Sequence, residues 1–265
     1  MLYYKTFESA DSDQWVVLIH GAGGSSSIWF KQLKDLTKHF KVLLLDLRGH
    51  GKSKDKFWNK EYSFKEVSND VLEVMNHIGI QSAHFIGISL GTIVIRSIAE
   101  VDASKIKSMI LGGAVTRLNV RSRFLMFVAD IIKPFIPFIW VYTIFAHILM
   151  PRRRHRESRS MFIKEAHNLK QSEFLRWFTL TAEVNPLLRY FTEKEIPVPT
   201  LYLMGDEDYM FLPQVKNLVK IHKYSSLKIF ENCGHVCNVE QPELFNQYSI
   251  EFIRQNSSAL TRQQF

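Results

Sequence analysis

Cysteine is scarce in this chain, two residues in 265, which is too few for the disulfide framework that holds small secreted domains together. Glycine supplies only 12 residues and no fixed period recurs, so collagen-like and solenoid architectures are excluded. The opening stretch MLYYKTFESADSD lacks the basic-then-apolar order of a secretory signal. That absence, with the few cysteines, reads as an intracellular, reducing compartment, the cytoplasm by default. No run of the length that spans a bilayer comfortably stands out. The stretch Pro134 to Met150, free of Asp, Glu, Lys and Arg, comes only near the lower limit, and Pro134 and Pro137 would interrupt its start.

What is present points to a folded, enzyme-sized domain. Hydrophobic residues make up 46% of the chain and aromatics 13%, against 23% charged, far too apolar for disorder. The length suits one domain with an elaboration. A formal charge of +8 admits nucleic acid, anionic membranes or acidic small molecules as partners. Much of that charge sits in one run, Arg152, Arg153, Arg154 and Arg156 with His155 between them, directly after an apolar stretch. No recognition helix or RNA-binding aromatic signature accompanies it, so lipid is favoured over nucleic acid.

Short apolar runs alternate with amphipathic stretches, the pattern of βαβ units around a parallel sheet. Strands are expected at Trp15 to Ile19, Phe40 to Leu45, Ala83 to Ile88, Ser108 to Leu111, Thr200 to Met204 and Leu227 to Phe230. Helical spacing at Phe64, Val67, Val71, Val74 and Met75, with Ser63 as N-cap and Glu66 three residues on, predicts a helix between the second and third strands. Further helices fit Leu90 to Val101, Leu212 to His222 and Pro242 to Arg254, and a frayed tail from Asn256. Between Thr116 and Pro197 the alternation stops and the sequence turns helical and aromatic. The expected layout is a sheet domain of residues 1–116 and 198–265 with a helical cap, 117–197, inserted into it.

Gly87-Ile88-Ser89-Leu90-Gly91 lies between a buried-strand pattern and a helix pattern. A serine on so tight a turn is forced into a strained conformation, and small residues two positions to either side let strand and helix approach. With this elbow, the chain resembles the α/β-hydrolase superfamily, in its small capped branch of serine esterases and lactonases. The resemblance also rests on His20-Gly21-Ala22-Gly23-Gly24, on Asp46-Leu47-Arg48-Gly49-His50-Gly51-Lys52-Ser53, on Gly205-Asp206-Glu207-Asp208 and on Gly234-His235, each after an expected strand. It implies a mostly parallel, doubly wound sheet with an inserted helical cap. Thr92 departs from the pattern where many members carry a second glycine.

The resemblance assigns roles by chain order, nucleophile then acid then base. Ser89 is the expected nucleophile, His235 the base and Asp208 the acid, since the fourth position of the Gly-x-x-Asp turn points at the histidine; Asp206 is then a turn former. The oxyanion donors are the backbone N–H groups of Leu90, at a helix start, and Ala22, in the first loop. His20 and His50 are expected to pack and to bond backbone, His84 to be part of a strand, and His147 to pack within the cap. Cys233 and Cys237 flank His235 but lack the further ligands of a zinc site, so no metal and no cofactor is expected.

Serine at the elbow argues against the dehalogenase and epoxide-hydrolase readings of this fold, which use Asp there. An aromatic and aliphatic cluster from Phe124 to Phe145 is either cap packing or a pocket for an acyl or aromatic group, and a hydrophobic ester is the expected substrate. Two other classes stay open: a cofactor-free lyase or C–C-bond hydrolase holding an acidic metabolite with Arg117, Arg121 or Arg123, and a small-molecule sensor. The basic run has two readings as well. One is a solvated loop; the other is peripheral contact with an anionic membrane through Arg152, Arg153, Arg154 and Arg156 on the inner membrane face.

Overall fold

A computed structural model describes residues 1–55, 63–118, 120–132 and 135–262; the side chains of 120–122, 132, 181–183, 185 and 258–262 fall outside that description. In chain order the elements are β1 (Tyr4–Phe7), β2 (Trp15–Ile19), α1 (Phe30–Leu36), β3 (Lys41–Leu45), α2 (Phe64–Ile78), β4 (Ala83–Ile88), α3 (Leu90–Val101) and β5 (Ile106–Gly112). Five helices follow: α4 (Val120–Ile132), α5 (Phe138–Leu149), α6 (Arg156–Ala166), α7 (Gln171–Thr179) and α8 (Thr181–Glu193). The chain then returns to the sheet with β6 (Thr200–Gly205), α9 (Leu212–Leu218), β7 (Ser225–Phe230), α10 (Cys237–Glu240) and α11 (Pro242–Arg262).

The seven strands form one sheet in the order β1-β3-β2-β4-β5-β6-β7. Every pairing is parallel except that of β1 with β3. All six residues of β4 are buried, as a central parallel strand covered on both faces requires. The chain steps from β2 outward to β3 and back across to β4, so the strand order reverses between β2 and β4. In such sheets the crevice beyond the C-terminal strand ends at that reversal is where ligands bind. The loop after β2 and the turn after β4 both open there.

Most expected elements are present, and the departures have physical causes. The antiparallel edge strand β1 went unread because its four residues, Tyr4 to Phe7, are largely solvent-facing and carry no buried run. Helix α9 stops at Leu218 rather than His222; beyond it the bonds tighten into turns, Lys220 N to Asn217 O and Ile221 N to Leu218 O. Helix α11 continues through the supposed frayed tail to Arg262 because Ser257 ties it to the core, donating to Gln14 Oε1 at 2.6 Å and lying 3.3 Å from His84 Nε2. Ser63 caps α2 by accepting from Glu66 N at 3.2 Å. The Glu66 carboxylate reaches toward Arg48 at 3.5 Å instead of closing a reciprocal capping box.

Arg48 holds the loop after β3 to α2 through a buried fork to Asp70, Nε to Oδ2 at 2.7 Å and Nη2 to Oδ1 at 2.8 Å. Trp177 of α7 donates its indole N–H to the Arg48 carbonyl at 3.0 Å, fastening the helical insertion to the same loop. No helix among the described residues is long and apolar enough to cross a membrane. Pro134, at the start of the charge-free stretch, lies outside the described residues.

Candidate active site

The turn joining β4 to α3 carries Ser89 at φ 54°, ψ −116°, one of two non-glycine residues with positive φ among those described. Such strain in a buried turn persists only where the surroundings fix it. The flanking glycines are required by space. A Cβ on Gly91 would lie 2.3 Å from the Ile19 carbonyl oxygen, and one on Gly87 would lie 2.6 Å from Ile95 Cδ1. Thr92 proves to be a brace: its hydroxyl donates to Ser89 O at 2.6 Å and accepts from Val115 N at 3.4 Å.

Residues far apart in sequence converge on that serine. His235 Nε2 lies 2.9 Å from Ser89 Oγ, and His235 Nδ1 lies 2.7 Å from Asp208 Oδ2. Both His235 and Asp208 are buried. The other Asp208 oxygen accepts from Phe211 N at 3.2 Å, and the Phe211 ring packs on the imidazole with centroids 5.3 Å apart. The three neighbouring acids divide their work. Asp206 accepts from Cys233 N at 3.1 Å and fixes the loop leading to His235. Glu207 turns toward the helical insertion, where it meets His155 Nε2 at 2.8 Å and the guanidinium groups of Arg152 and Arg154 at 3.7 and 3.6 Å.

His155 is therefore no spacer in a basic run but a fully buried anchor. Arg152 also bonds the Tyr209 hydroxyl at 2.9 Å, and Arg154 bonds Asn232, so half of the run is spoken for within the chain. Only the histidine's place among arginines hinted at this, since its partner lies 52 residues on. His147 departs from the expected cap packing: it is exposed on α5, with Nδ1 2.9 Å from Thr143 O.

His20 and His50 build the loop after β2. His20 Nδ1 lies 2.7 Å from Gly21 O and its Nε2 accepts from Leu47 N at 2.9 Å; His50 Nε2 accepts from Gly23 N at 2.9 Å. Each ring must stay neutral to accept those bonds, and burial pushes both pKa values down, that of His50 from 6.5 to about 3. Burial, then nearby Lys107, lowers that of His84 to about 4. At His84 and His50 the unfolded chain takes up a proton near pH 6.5 while the folded chain refuses it until about pH 4 and about pH 3 respectively. Stability is thus expected to fall as pH drops below 6.5, by up to about 1.4 kcal/mol per unit per group until each folded pKa is passed. Urea melts at pH 7 and pH 5 check this; equal or greater stability at pH 5 would contradict it.

The backbone N–H groups of Ala22 and Leu90 have no acceptor among the described residues. Ala22 borders two cavities: a small one of about 30 Å³ at Ser89 and His235, and a larger one of about 280 Å³ beneath the helical insertion. The larger is walled by Leu90, Phe211 and apolar residues of α4, α5 and α7. No Lys, Arg, Asp or Glu lines it among the described residues. Besides the N–H groups of Ala22 and Leu90, the uncommitted polar side chain there is the buried Tyr142 hydroxyl, which makes no hydrogen bond among the described residues; an added Cβ on Gly23 would lie 2.5 Å from it. Burial pushes this phenol above its ordinary pKa, so it remains a donor. Among the aromatics of the insertion, nothing in the sequence set Tyr142 apart.

Arg117 and Arg123 are exposed, and the Arg121 side chain lies outside the described residues. Cys233 and Cys237 are buried free thiols whose pKa values burial pushes up, which makes both poor nucleophiles. Among the described residues no group of three His, Cys, Asp or Glu side chains could hold a metal ion.

Residues 14–138 match the family model described as the alpha/beta hydrolase fold. RutD of Stutzerimonas stutzeri, whose assignment to carbamate hydrolysis is itself provisional, is 27% identical over 90% of this chain and 91% of its own. A carboxylesterase of Bacillus subtilis, nap, otherwise uncharacterised, is 24% identical over 89% of this chain and 78% of its own. Among solved structures, the enol-lactonase of Burkholderia xenovorans superposes with a TM-score of 0.79 at 22% identity, covering 96% of each chain. These relatives are all named as hydrolases. By its match over residues 14–138, its mostly parallel sheet and the strained serine turn at the sheet's reversal point, the chain has the α/β-hydrolase fold.

Proposed function

We propose that the protein is a serine hydrolase that cleaves carboxylic esters with a hydrophobic acyl or aromatic group, working through Ser89, His235 and Asp208. One observation carries the reading: the unbroken chain from Ser89 Oγ through His235 to Asp208, standing beside an apolar cavity. A serine hydroxyl is a weak nucleophile until a base in hydrogen-bond reach takes its proton. In this reading Ser89 Oγ attacks the ester carbonyl carbon as its proton passes to His235 Nε2. Asp208 holds the ring in the right tautomer and stabilises the imidazolium that forms.

The negative charge that develops on the carbonyl oxygen falls between the N–H groups of Ala22 and Leu90. Collapse of the adduct expels the alcohol, which takes the proton from His235 and leaves an acyl group on Ser89. Water, deprotonated by His235, then releases the acid. The Tyr142 hydroxyl offers a further hydrogen bond to a polar atom of the substrate.

The surroundings favour a neutral, apolar substrate over an acidic metabolite. No Lys or Arg lines the larger cavity among the described residues, its histidine, His50, is held neutral by burial, and Glu165 borders the smaller one, its carboxylate held by Ser25 and Ser27 hydroxyls at 2.9 and 3.0 Å. A carboxylate-bearing substrate would meet a like charge there. A chain-length series of p-nitrophenyl esters tests the reading. From acetyl to hexanoyl, kcat/KM is expected to rise by roughly fourfold per methylene, the factor for about 0.8 kcal/mol of burial. A flat series, or a preference for acetyl or for a carboxylate-bearing ester, would contradict it.

A further inference from the structure

Helices α4 and α5 carry apolar side chains both toward the cavity and toward solvent. Toward the cavity they present Leu125, Met126, Ala129, Val141 and Phe145. At helical spacing, Phe124, Phe127 and Ile131 of α4 and Trp140, Ile144 and Ile148 of α5 are exposed to solvent. Phe135, in the link between them, is 82% exposed and Trp140 64%. Large apolar side chains left exposed at this density mark an interaction surface.

Charge identifies what covers it. Residues 118–156 contain seven Lys and Arg side chains, at 121, 123, 133, 152, 153, 154 and 156, against one acid, Asp130. Arg123 is exposed beside Phe124. Arg153 and Arg156 are exposed with no ion pair among the described residues, whereas Arg152 and Arg154 share Glu207. A second copy of this chain, itself at +8, would bring like charges together. Apolar and aromatic side chains rimmed by free arginines suit an anionic lipid surface, with the helices lying in the plane of the interface.

Ile144 and Ile148 belong both to the exposed face and to the cavity wall, so the cavity opens on the same side as the patch. We infer that the α4 and α5 region docks on the surface of an anionic bilayer, with Phe124, Phe127, Phe135 and Trp140 inserted among the lipids and Arg123, Arg153 and Arg156 against the headgroups. In that pose an apolar substrate passes from lipid to cavity without crossing water. This consequence rests on the ester-hydrolase reading; the docking itself does not.

Sedimentation with phosphatidylcholine vesicles, with and without phosphatidylglycerol, tests the docking and needs no catalytic turnover. The chain is expected to pellet with the anionic vesicles and largely to stay in solution with the zwitterionic ones, with binding weakened at high salt. Phe124→Ser, Phe127→Ser and Trp140→Ser together should abolish pelleting. Arg153→Glu with Arg156→Glu should lower partitioning at least about tenfold. All five positions are exposed, so a thermal melt close to wild type accompanies the expected result. Equal recovery of wild type in the supernatant with either vesicle at low salt would overturn the proposal. A dimer abolished by the triple substitution, without vesicle binding, would also overturn it and give the face to a second copy. Loss of ester turnover with vesicle binding intact would sink the hydrolase reading alone.

Discussion

Alanine at Ser89 or at His235 is expected to lower ester turnover by roughly 10³ to 10⁶-fold, and the double substitution to lower it little further. The geometry dictates both statements. Ser89 Oγ has its base 2.9 Å away, and neither group performs the step without the other. Once the serine is gone the histidine has no proton to take, so the second loss costs almost nothing. Residual hydrolysis above the uncatalysed rate should survive, because the backbone donors at Ala22 and Leu90 and the cavity remain. Independent, multiplying losses would mean that the two side chains do not act as a unit. Circular dichroism should show all three variants folded, since Ser89→Ala removes one atom and leaves the backbone strain unchanged in kind.

The second large effect separates three adjacent acids. Asp208→Asn is expected to reduce turnover by about 10⁴-fold, because an amide can hold the imidazole in the wrong tautomer and cannot balance its positive charge. Asp206→Asn should change turnover far less: its carboxylate accepts from Cys233 N, a bond that an amide oxygen can also accept. Glu207→Gln weakens the contact with His155 and the nearby arginines, so its effect should fall on stability and KM before kcat. Steady-state kinetics on the three variants ranks them. If Asp206→Asn proved the most damaging, Asp208 would not be the partner of His235.

The site was legible wherever function confines residues to one turn. Gly87, Ser89 and Gly91 announce a strand-to-helix elbow because each glycine faces a backbone or side-chain atom at less than a Cβ's distance. The loop histidines were likewise readable as structural, and His20 and His50 do spend their nitrogens on backbone groups. What stayed hidden depends on partners distant in sequence. Thr92 looked like a departure from a glycine pattern until Val115 N was found against its hydroxyl. His155 was lost among arginines because Glu207 is what gives it a role. Tyr142 differs from its aromatic neighbours only in where its hydroxyl ends up, and β1 has too little buried surface to leave a periodic signature. The apolar residues of α4 and α5 could be read as packing or as pocket; the structure divides them between a cavity wall and a solvent face.

The central claim is that Ser89 is a nucleophile activated by His235, and covalent capture tests it most directly. Wild-type protein treated with a fluorophosphonate and digested should show a phosphonyl adduct on the peptide containing Ser89, formed rapidly at neutral pH. His235→Ala should form that adduct far more slowly, and Ser89→Ala not at all. An unlabelled wild type, or an adduct that persists undiminished in Ser89→Ala, would contradict the account.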